Sequence, residues 1–177
     1  YFAENGMQYV EVPVEGNSDA KAKLFAGECD VFTTDASGLA SARAGADNPS
    51  DWVVLPEIIS KEPLGPLVRQ GDQEWEDVVR WTMFAMISAE EMGITSDNVD
   101  EMLTSESKEV LRLLGEDGYM GPMLGLGMKF GYNIVKQVGN YGESYERNVG
   151  LNTPLAIDRG LNNLWNNGGI LYVPPFR

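Results

Sequence analysis

An aspartate separates a short apolar run from a run of small residues in the stretch CDVFTTDASGLASARAG, residues 29–45. The apolar run predicts a buried strand, and the small residues after Asp35 predict a helix. The junction between a strand and a helix is where α/β proteins commonly bind ligands. The Asp35 carboxylate could accept charge-assisted hydrogen bonds from an ammonium group, with further hydroxyls from Thr33 and Thr34. An ordinary helix cap explains the same aspartate, and the local sequence alone favours that interpretation.

Two other stretches contain residue patterns that are associated with catalysis or phosphate binding. Glu143 and Glu146 are three residues apart in a predicted helix and would share one face. Paired carboxylates can perform acid–base catalysis, but with Arg147 beside them a solvated helix face is the more common explanation. The glycine-rich stretch GPMLGLG, residues 121–127, lacks the GxxxxGK[ST] pattern of a phosphate-binding loop. It therefore predicts an ordinary loop.

The composition excludes several classes of function. The formal net charge is −14, which argues against nucleic-acid binding because phosphate contacts need a basic surface. There is no histidine, so the usual general base and the commonest metal ligand are missing. Cys29 is the only cysteine, which excludes an internal disulfide and a zinc cluster. We therefore predict no metal and no cofactor, and the acidity favours a secreted or periplasmic protein.

Strands and helices alternate in the first part of the chain. Strands are predicted over residues 7–12, 29–34 and 52–57, and helices over residues 17–28 and 36–45. This alternation is typical of βαβ units with a mostly parallel sheet. The predicted fold class is therefore α/β.

The second part of the chain predicts mainly helices. The longest covers residues 72–93, where an apolar stripe that includes Trp75 and Met86 is expected in the core. Two helical segments are predicted over residues 132–150, separated at Gly139. Between the two parts, prolines and glycine interrupt residues 58–72, which predicts a connection between lobes rather than a central strand.

The start of the chain has the pattern of a helix end. The sequence opens YFAENGM without an initiator methionine, and Asn5-Gly6 is a typical helix stop. A protein rarely begins at the end of a helix. We therefore expect this chain to be part of a longer one.

Several stretches resemble the extracytoplasmic amino-acid-binding proteins of ABC importers, and their general L-amino-acid-binding subgroup in particular. They are GECDVFTTDASGLASAR, VVLPEIISKEPLGPLVRQGD, VKQVGNYGESYERNVG and LNNLWNNGGILYVPPFR. The resemblance covers the whole chain and implies the periplasmic-binding-protein-like (type II) architecture, two α/β lobes that close over one amino acid, here incomplete at the N-terminus. Residues 1–60 would be the later part of lobe two. Residues 61–177 would be the return crossing, the remainder of lobe one and a C-terminal helical extension.

The resemblance also implies a function without catalysis. The protein would be the periplasmic solute-binding component of the importer, with free L-amino acids and the membrane permease subunits as its partners. Asp35 would accept hydrogen bonds from the α-ammonium group of the ligand, and Thr34 would contact the ligand side chain. Cys29 would form a disulfide with a cysteine upstream of this chain.

Two other classes of protein are compatible with the same architecture. A periplasmic enzyme would need an acid or base in the cleft, for which Asp35, Glu57 and Glu62 are the candidates. A ligand-sensing module would bind a similar ligand without a role in transport.

Overall fold

The structure is a computed structural model, and it describes residues 1–176. The chain divides into two compact units. Unit 1 comprises Tyr1–Leu64 together with Pro154–Ile157, and unit 2 comprises Gly65–Thr153 together with the residues from Asp158 onward.

Unit 1 contains two short helices. Helix α1 is Asn17–Phe25, helix α2 is Ala36–Ala44, and a 3₁₀ turn follows at Pro49–Asp51. Both helices were predicted, and both are confirmed. The Arg43 guanidinium donates a hydrogen bond to the Leu155 carbonyl oxygen at 3.0 Å, which ties residues 154–157 to the end of α2.

The predicted strands of unit 1 are not formed. Within residues 1–176, β-pairing is limited to an isolated parallel bridge between Leu164 and Leu171. A strand requires a neighbour that completes its hydrogen bonds, and no backbone hydrogen bond of this described part joins residues 7–12, 29–34 and 52–57 to one another. The α/β prediction is therefore correct for the helices and wrong for the strands of this chain.

Unit 2 is helical, as predicted. Gly139 separates two of its helices at the expected position, and a one-turn helix occupies part of the predicted glycine-rich loop. The helices are α3 Gln73–Glu91, α4 Val99–Met102, α5 Lys108–Leu114, α6 Met120–Met123, α7 Phe130–Val138 and α8 Tyr141–Asn148, followed by 3₁₀ turns at Gly160–Asn162 and Trp165–Asn167.

Local hydrogen bonds define both ends of α3. At its start, the Trp75 N–H donates to the Asp72 carboxylate at 3.1 Å, which is an N-cap. At its end, Gly93 has φ 68°, a conformation that glycine adopts without strain. The Gly93 N–H donates to the Glu90 oxygen at 3.0 Å and the Ile94 N–H to the Ala89 oxygen at 2.8 Å, a Schellman motif. The chain therefore turns sharply after α3, and Ile94 enters the core.

The core of unit 2 forms around the C-terminal half of α3. Trp75 is 53% exposed, so the predicted apolar stripe is buried only further along the helix. Trp81 makes edge contacts with Phe84 and Phe176, with ring centroids 5.5 and 5.3 Å apart. The buried cluster consists of Ala85, Ala89, Ile94, Val99, Val110, Leu113, Leu114, Val135 and Phe176.

Helices α5 and α7 approach each other closely at a glycine. A Cβ atom at Gly131 would overlap the backbone carbonyl of Leu113, so no larger residue fits there without a backbone shift. This contact brings α7 onto the core, where Val135 is fully buried. The next helix, α8, begins within the GNYGE stretch, residues 139–143.

Candidate ligand-binding site

Asp35 is the N-cap of α2. Its Oδ2 atom accepts hydrogen bonds from the Gly38 backbone N–H at 2.8 Å and from the Ser37 hydroxyl. Its Oδ1 atom accepts a bond from the Thr34 hydroxyl at 3.3 Å. The sequence TTDASG therefore folds into a turn in which the residues on either side of Asp35 hold its carboxylate. The capping interpretation is confirmed.

These donors keep the Asp35 carboxylate ionised. The hydrogen bond from Ser37, followed by that from the Gly38 N–H, lowers the pKa of Asp35 below its ordinary value of 3.8, and a weaker burial effect opposes them. The position at the helix N-terminus also favours negative charge, because the unpaired N–H groups there carry partial positive charge. A fixed negative charge is the property that an ammonium ligand requires.

Capping leaves the carboxylate with spare acceptor capacity. An ionised carboxylate has about four acceptor positions, and Ser37, Gly38 and Thr34 occupy three of them. The Oδ1 atom has only the Thr34 donor, and the Asp35 side chain is half-buried rather than enclosed. Capping and ammonium binding are therefore compatible roles for the same side chain.

Thr34 lies beside Asp35 with its hydroxyl directed at the carboxylate. The side chain is half-buried, whereas that of Thr33 is exposed. Because the Thr34 hydroxyl donates to Asp35, it can offer a ligand only its acceptor lone pairs and its methyl group. The contact of Thr34 with a ligand side chain stays a prediction.

The GNYGE stretch forms a capping box at the start of α8. The Glu143 N–H donates to the Asn140 side-chain oxygen at 2.9 Å, and the Asn140 N–H donates to Glu143 Oε2 at 2.8 Å. Asn140 is buried, and its amide donates to the Ile94 carbonyl at 2.8 Å. The stretch therefore connects the start of α8 to the turn after α3.

Glu143 also binds the backbone of that turn. The Ser96 hydroxyl donates to Glu143 Oε1 at 2.6 Å, and the Ser96 N–H lies 3.1 Å from both carboxylate oxygens. Glu146 is exposed. Glu143 therefore serves as a structural acceptor, and the two glutamates do not form an acid–base pair. The Asn-x-x-Glu spacing resembles a capping box and could have indicated this role, but the contact with Ser96 could not be read from the sequence.

Replacing Glu143 with glutamine should destabilise unit 2 by about 2 kcal/mol, because hydrogen bonds to charged groups contribute about 1.5–3 kcal/mol each. The loss is to be measured by urea unfolding at neutral pH. Glu146→Gln is the matched control on the same helix and should change stability by less than about 0.5 kcal/mol, as exposed substitutions usually do. Equal effects of the two substitutions would contradict the structural role of Glu143.

This contribution should also depend on pH. Burial raises the pKa of Glu143, but the hydrogen bonds from Ser96 and Asn140 outweigh burial and lower the pKa below 4.5. A carboxylate with a lowered pKa stabilises the fold above its unfolded pKa. The difference between parent and Glu143→Gln should therefore be complete near neutral pH and shrink as the pH falls below 4.5.

The remaining candidates, Glu57, Glu62 and Cys29, are not part of any organised group of side chains within the described residues. Glu57 and Glu62 are exposed, and within the described residues their side chains have no hydrogen-bond or ion-pair partner. The Cys29 thiol is free and half-buried. Among residues 1–176, no three acidic, cysteine or histidine side chains cluster as metal ligands would. In the same range, no helix has the length and hydropathy to cross a bilayer.

Curated relatives match the chain over its whole length. The chain is 54% identical to the general L-amino acid-binding periplasmic protein AapJ of Rhizobium johnstonii, over 179 residues and 52% of that relative. It is 49% identical to the glutamate/glutamine/aspartate/asparagine-binding protein BztA of Rhodobacter capsulatus, over 178 residues and 53% of that relative. No protein-family model matches the chain. The chain thus spans about half the length of the curated relatives it matches.

A solved structure matches the backbone as well as the sequence. The chain superimposes with a TM-score of 0.90 on an ABC transporter periplasmic binding protein from Brucella ovis with glutathione bound. The two are 50% identical, and the match covers all of this chain and 56% of the other. The family resemblance seen in the sequence is confirmed by these relatives. Along its full length, the chain is therefore homologous to about half of an amino-acid-binding protein of an ABC transporter.

Proposed function

We propose that the chain is the C-terminal half of the solute-binding component of an ABC amino-acid importer. The complete protein would capture free L-amino acids in the periplasm and deliver them to the permease subunits in the membrane. The observation that carries this proposal is identity of about half the residues, over the entire chain, to relatives named for amino-acid binding. Reversible binding needs no acid, base or nucleophile, so we do not propose an enzyme.

The ligands named for the relatives share one chemical group. Glutamate, glutamine, aspartate and asparagine each carry an ammonium and a carboxylate on the same carbon. Glutathione, bound to the Brucella ovis protein, keeps both groups free on its glutamyl residue because its first peptide bond is at the γ-carbon. We therefore propose that this site recognises the α-amino-acid group and accepts a longer side chain beyond it.

Asp35 is the proposed partner of the ligand ammonium group. Its lowered pKa, its position at the start of α2 and its remaining acceptor position support this role. Thr34 would orient the carboxylate and contact the ligand through its methyl group. Residues 1–60 would belong to lobe two, and residues 61–177 would form the return crossing, the rest of lobe one and the C-terminal helices.

The test is Asp35→Asn in the complete protein. Asparagine caps helices as well as aspartate does, so the variant should still fold, and the loss of a favourable charge at the helix N-terminus should lower its stability by no more than about 1 kcal/mol. It loses the negative charge, so its affinity for L-glutamate should fall by about 10- to 150-fold, which corresponds to the 1.5–3 kcal/mol of a charged hydrogen bond. Isothermal titration calorimetry measures the affinity, and glutathione should show the same loss because it offers the same ammonium group.

Asp30→Asn is the matched control. Asp30 is an exposed aspartate five residues before Asp35, and it is not at the start of a helix, so it caps none. Its substitution removes the same charge and should leave the affinity within about twofold, because exposed charges are screened by solvent. If Asp35→Asn binds L-glutamate as tightly as Asp30→Asn does, Asp35 is only a cap and its binding role is refuted.

A further inference from the structure

The sequence contains two pairs in which glycine follows asparagine, Asn5-Gly6 and Asn167-Gly168. Such a pair can deamidate without an enzyme, because the backbone nitrogen of the glycine can attack the side-chain amide of the asparagine. The missing Cβ atom leaves this approach open. The reaction requires that the amide of the asparagine and the N–H of the glycine are both free to move. The two pairs differ in this respect.

Hydrogen bonds hold both reacting groups of the first pair. The Asn5 side-chain amide donates to the Tyr1 carbonyl oxygen at 2.8 Å. The Gly6 N–H donates to the Ala3 carbonyl oxygen at 3.2 Å. Both bonds would have to break before the Gly6 nitrogen could reach the Asn5 side chain. The first pair is therefore protected, although both of its residues are exposed.

The second pair lies in an exposed turn. Asn167 is the last residue of the 3₁₀ turn Trp165–Asn167, and Gly168 follows it with φ 82°. Both residues are exposed, and within the part of the chain that the structure describes neither the Asn167 side chain nor the Gly168 N–H has a hydrogen-bond partner. Glycine tolerates a wide range of backbone angles, so rotation toward the Asn167 side chain meets little steric resistance.

We propose that Asn167 is a site of spontaneous deamidation through a cyclic succinimide, an inference that is independent of the proposed function. The Gly168 nitrogen loses its proton and forms a bond with Asn167 Cγ, the bond from Cγ to the side-chain nitrogen breaks, and ammonia leaves with the proton. Water then opens the ring at either of its carbonyl groups. The products are aspartate and isoaspartate, and in isoaspartate the main chain runs through the former side chain and gains a carbon atom.

The turn that contains this pair has little room for a longer main chain. The Gly169 N–H donates to the Leu164 carbonyl oxygen at 3.0 Å, and a Cβ atom at Gly169 would overlap the backbone carbonyl of Asn163. The Trp165 indole N–H donates to the Glu91 carboxylate at 2.8 Å, which ties the same turn to α3. The isoaspartate product should therefore weaken the Gly169 hydrogen bond and loosen the turn.

The experiment incubates the complete protein at mildly alkaline pH, both folded and in guanidinium chloride, and follows the two pairs by peptide mass spectrometry. In the folded protein Asn167 should deamidate about tenfold faster than Asn5, because the two hydrogen bonds that protect the first pair together correspond to roughly that factor. In the denatured protein the two rates should agree within about threefold, because these bonds are gone.

Three outcomes would overturn the proposal. The first is deamidation of Asn5 at least as fast as that of Asn167 in the folded protein. The second is no product at Asn167 in the folded protein under conditions in which the denatured protein reacts. The third is a tenfold difference that persists in denaturant, which would show that the neighbouring sequence rather than the folded turn selects Asn167.

A second measurement tests the structural consequence. The isoaspartate form, identified by its reaction with an isoaspartyl methyltransferase, should exchange its Gly169 amide hydrogen about two- to tenfold faster than the parent, the range that corresponds to one net hydrogen bond. Asn167→Asp is the matched control, because it adds the same charge without the added carbon atom, and it should exchange at the rate of the parent. Equal exchange in the isoaspartate form and in Asn167→Asp would refute the effect on the turn.

Discussion

Replacing Phe176 with alanine should lower the free energy of unfolding of unit 2 by about 3–5 kcal/mol, the usual cost of truncating a buried aromatic residue. Phe176 is 2% exposed, and its ring meets the edge of Trp81 with centroids 5.3 Å apart. Aromatic pairs of this geometry add about 0.5–1.5 kcal/mol beyond the burial of their area. The cavity left by alanine would lie next to Trp81 of α3, among the residues of the buried cluster.

Urea unfolding followed by far-UV circular dichroism measures this loss, because the helices of unit 2 dominate the signal. Tyr172→Ala is the control, since Tyr172 lies in the same terminal segment and is 76% exposed. The control should lose less than about 1 kcal/mol. Similar losses in the two variants would show that the segment is held by something other than the ring of Phe176.

Replacing Glu90 with glutamine should cost about 3 kcal/mol of stability. Arg159 binds Glu90 with two parallel hydrogen bonds of 2.9 and 3.1 Å, and the two side chains are only 13% and 16% exposed. Removing one partner of a buried pair typically costs about 3–5 kcal/mol, because the other charge stays desolvated. We expect the lower end of this range of cost because the Arg159 guanidinium also lies over the rings of Tyr141 and Tyr145, 5.3 and 5.2 Å from their centroids. These cation–π contacts still stabilise the Arg159 charge when Glu90 is replaced.

Two further variants make this prediction specific. Glu76→Gln breaks an exposed ion pair with Arg80 on the same helix and should cost less than about 1 kcal/mol. The double variant Glu90→Met with Arg159→Met should lose less stability than Glu90→Gln alone, because neither charge is then buried without a partner. A double variant less stable than the single one would show that the pair contributes net stability. Chemical denaturation of all three measures the comparison.

The helices could be predicted because the residues that end them are close in the sequence. Asp72 caps a helix whose third residue it bonds, and Gly139 separates two helices. The signal lies within a few residues, and local propensity determines the outcome. Asp35 belongs to the same group, since its three donors are residues 34, 37 and 38.

The absence of the predicted strands could not be foreseen because strand pairing is not a local property. Residues 7–12 and 29–34 have strand-like sequences, yet a strand forms only beside another strand. The sequence pattern indicates a preference for extended backbone, but it does not indicate whether a neighbouring strand is present to pair with. The same limit applies to Glu143, whose contact with Ser96 spans 47 residues and leaves no mark on the sequence around either residue.

The candidate site was predictable in part. The sequence placed Asp35 at the start of a helix, and the structure adds the donors that fix its charge. The contribution of Thr34 depends on how a ligand lies, which neighbouring residues alone do not determine.

The pair formed by Glu90 and Arg159 also constrains the order in which unit 2 folds. The two residues are 69 positions apart, so their contact closes a long loop. The entropy cost of closing a loop rises by about 0.6 kcal/mol with each doubling of its length. Helix ends such as those of α3 and α5 close within a few residues and carry almost none of this cost. We therefore expect the segment after residue 158 to join the helices of unit 2 only after those helices have formed.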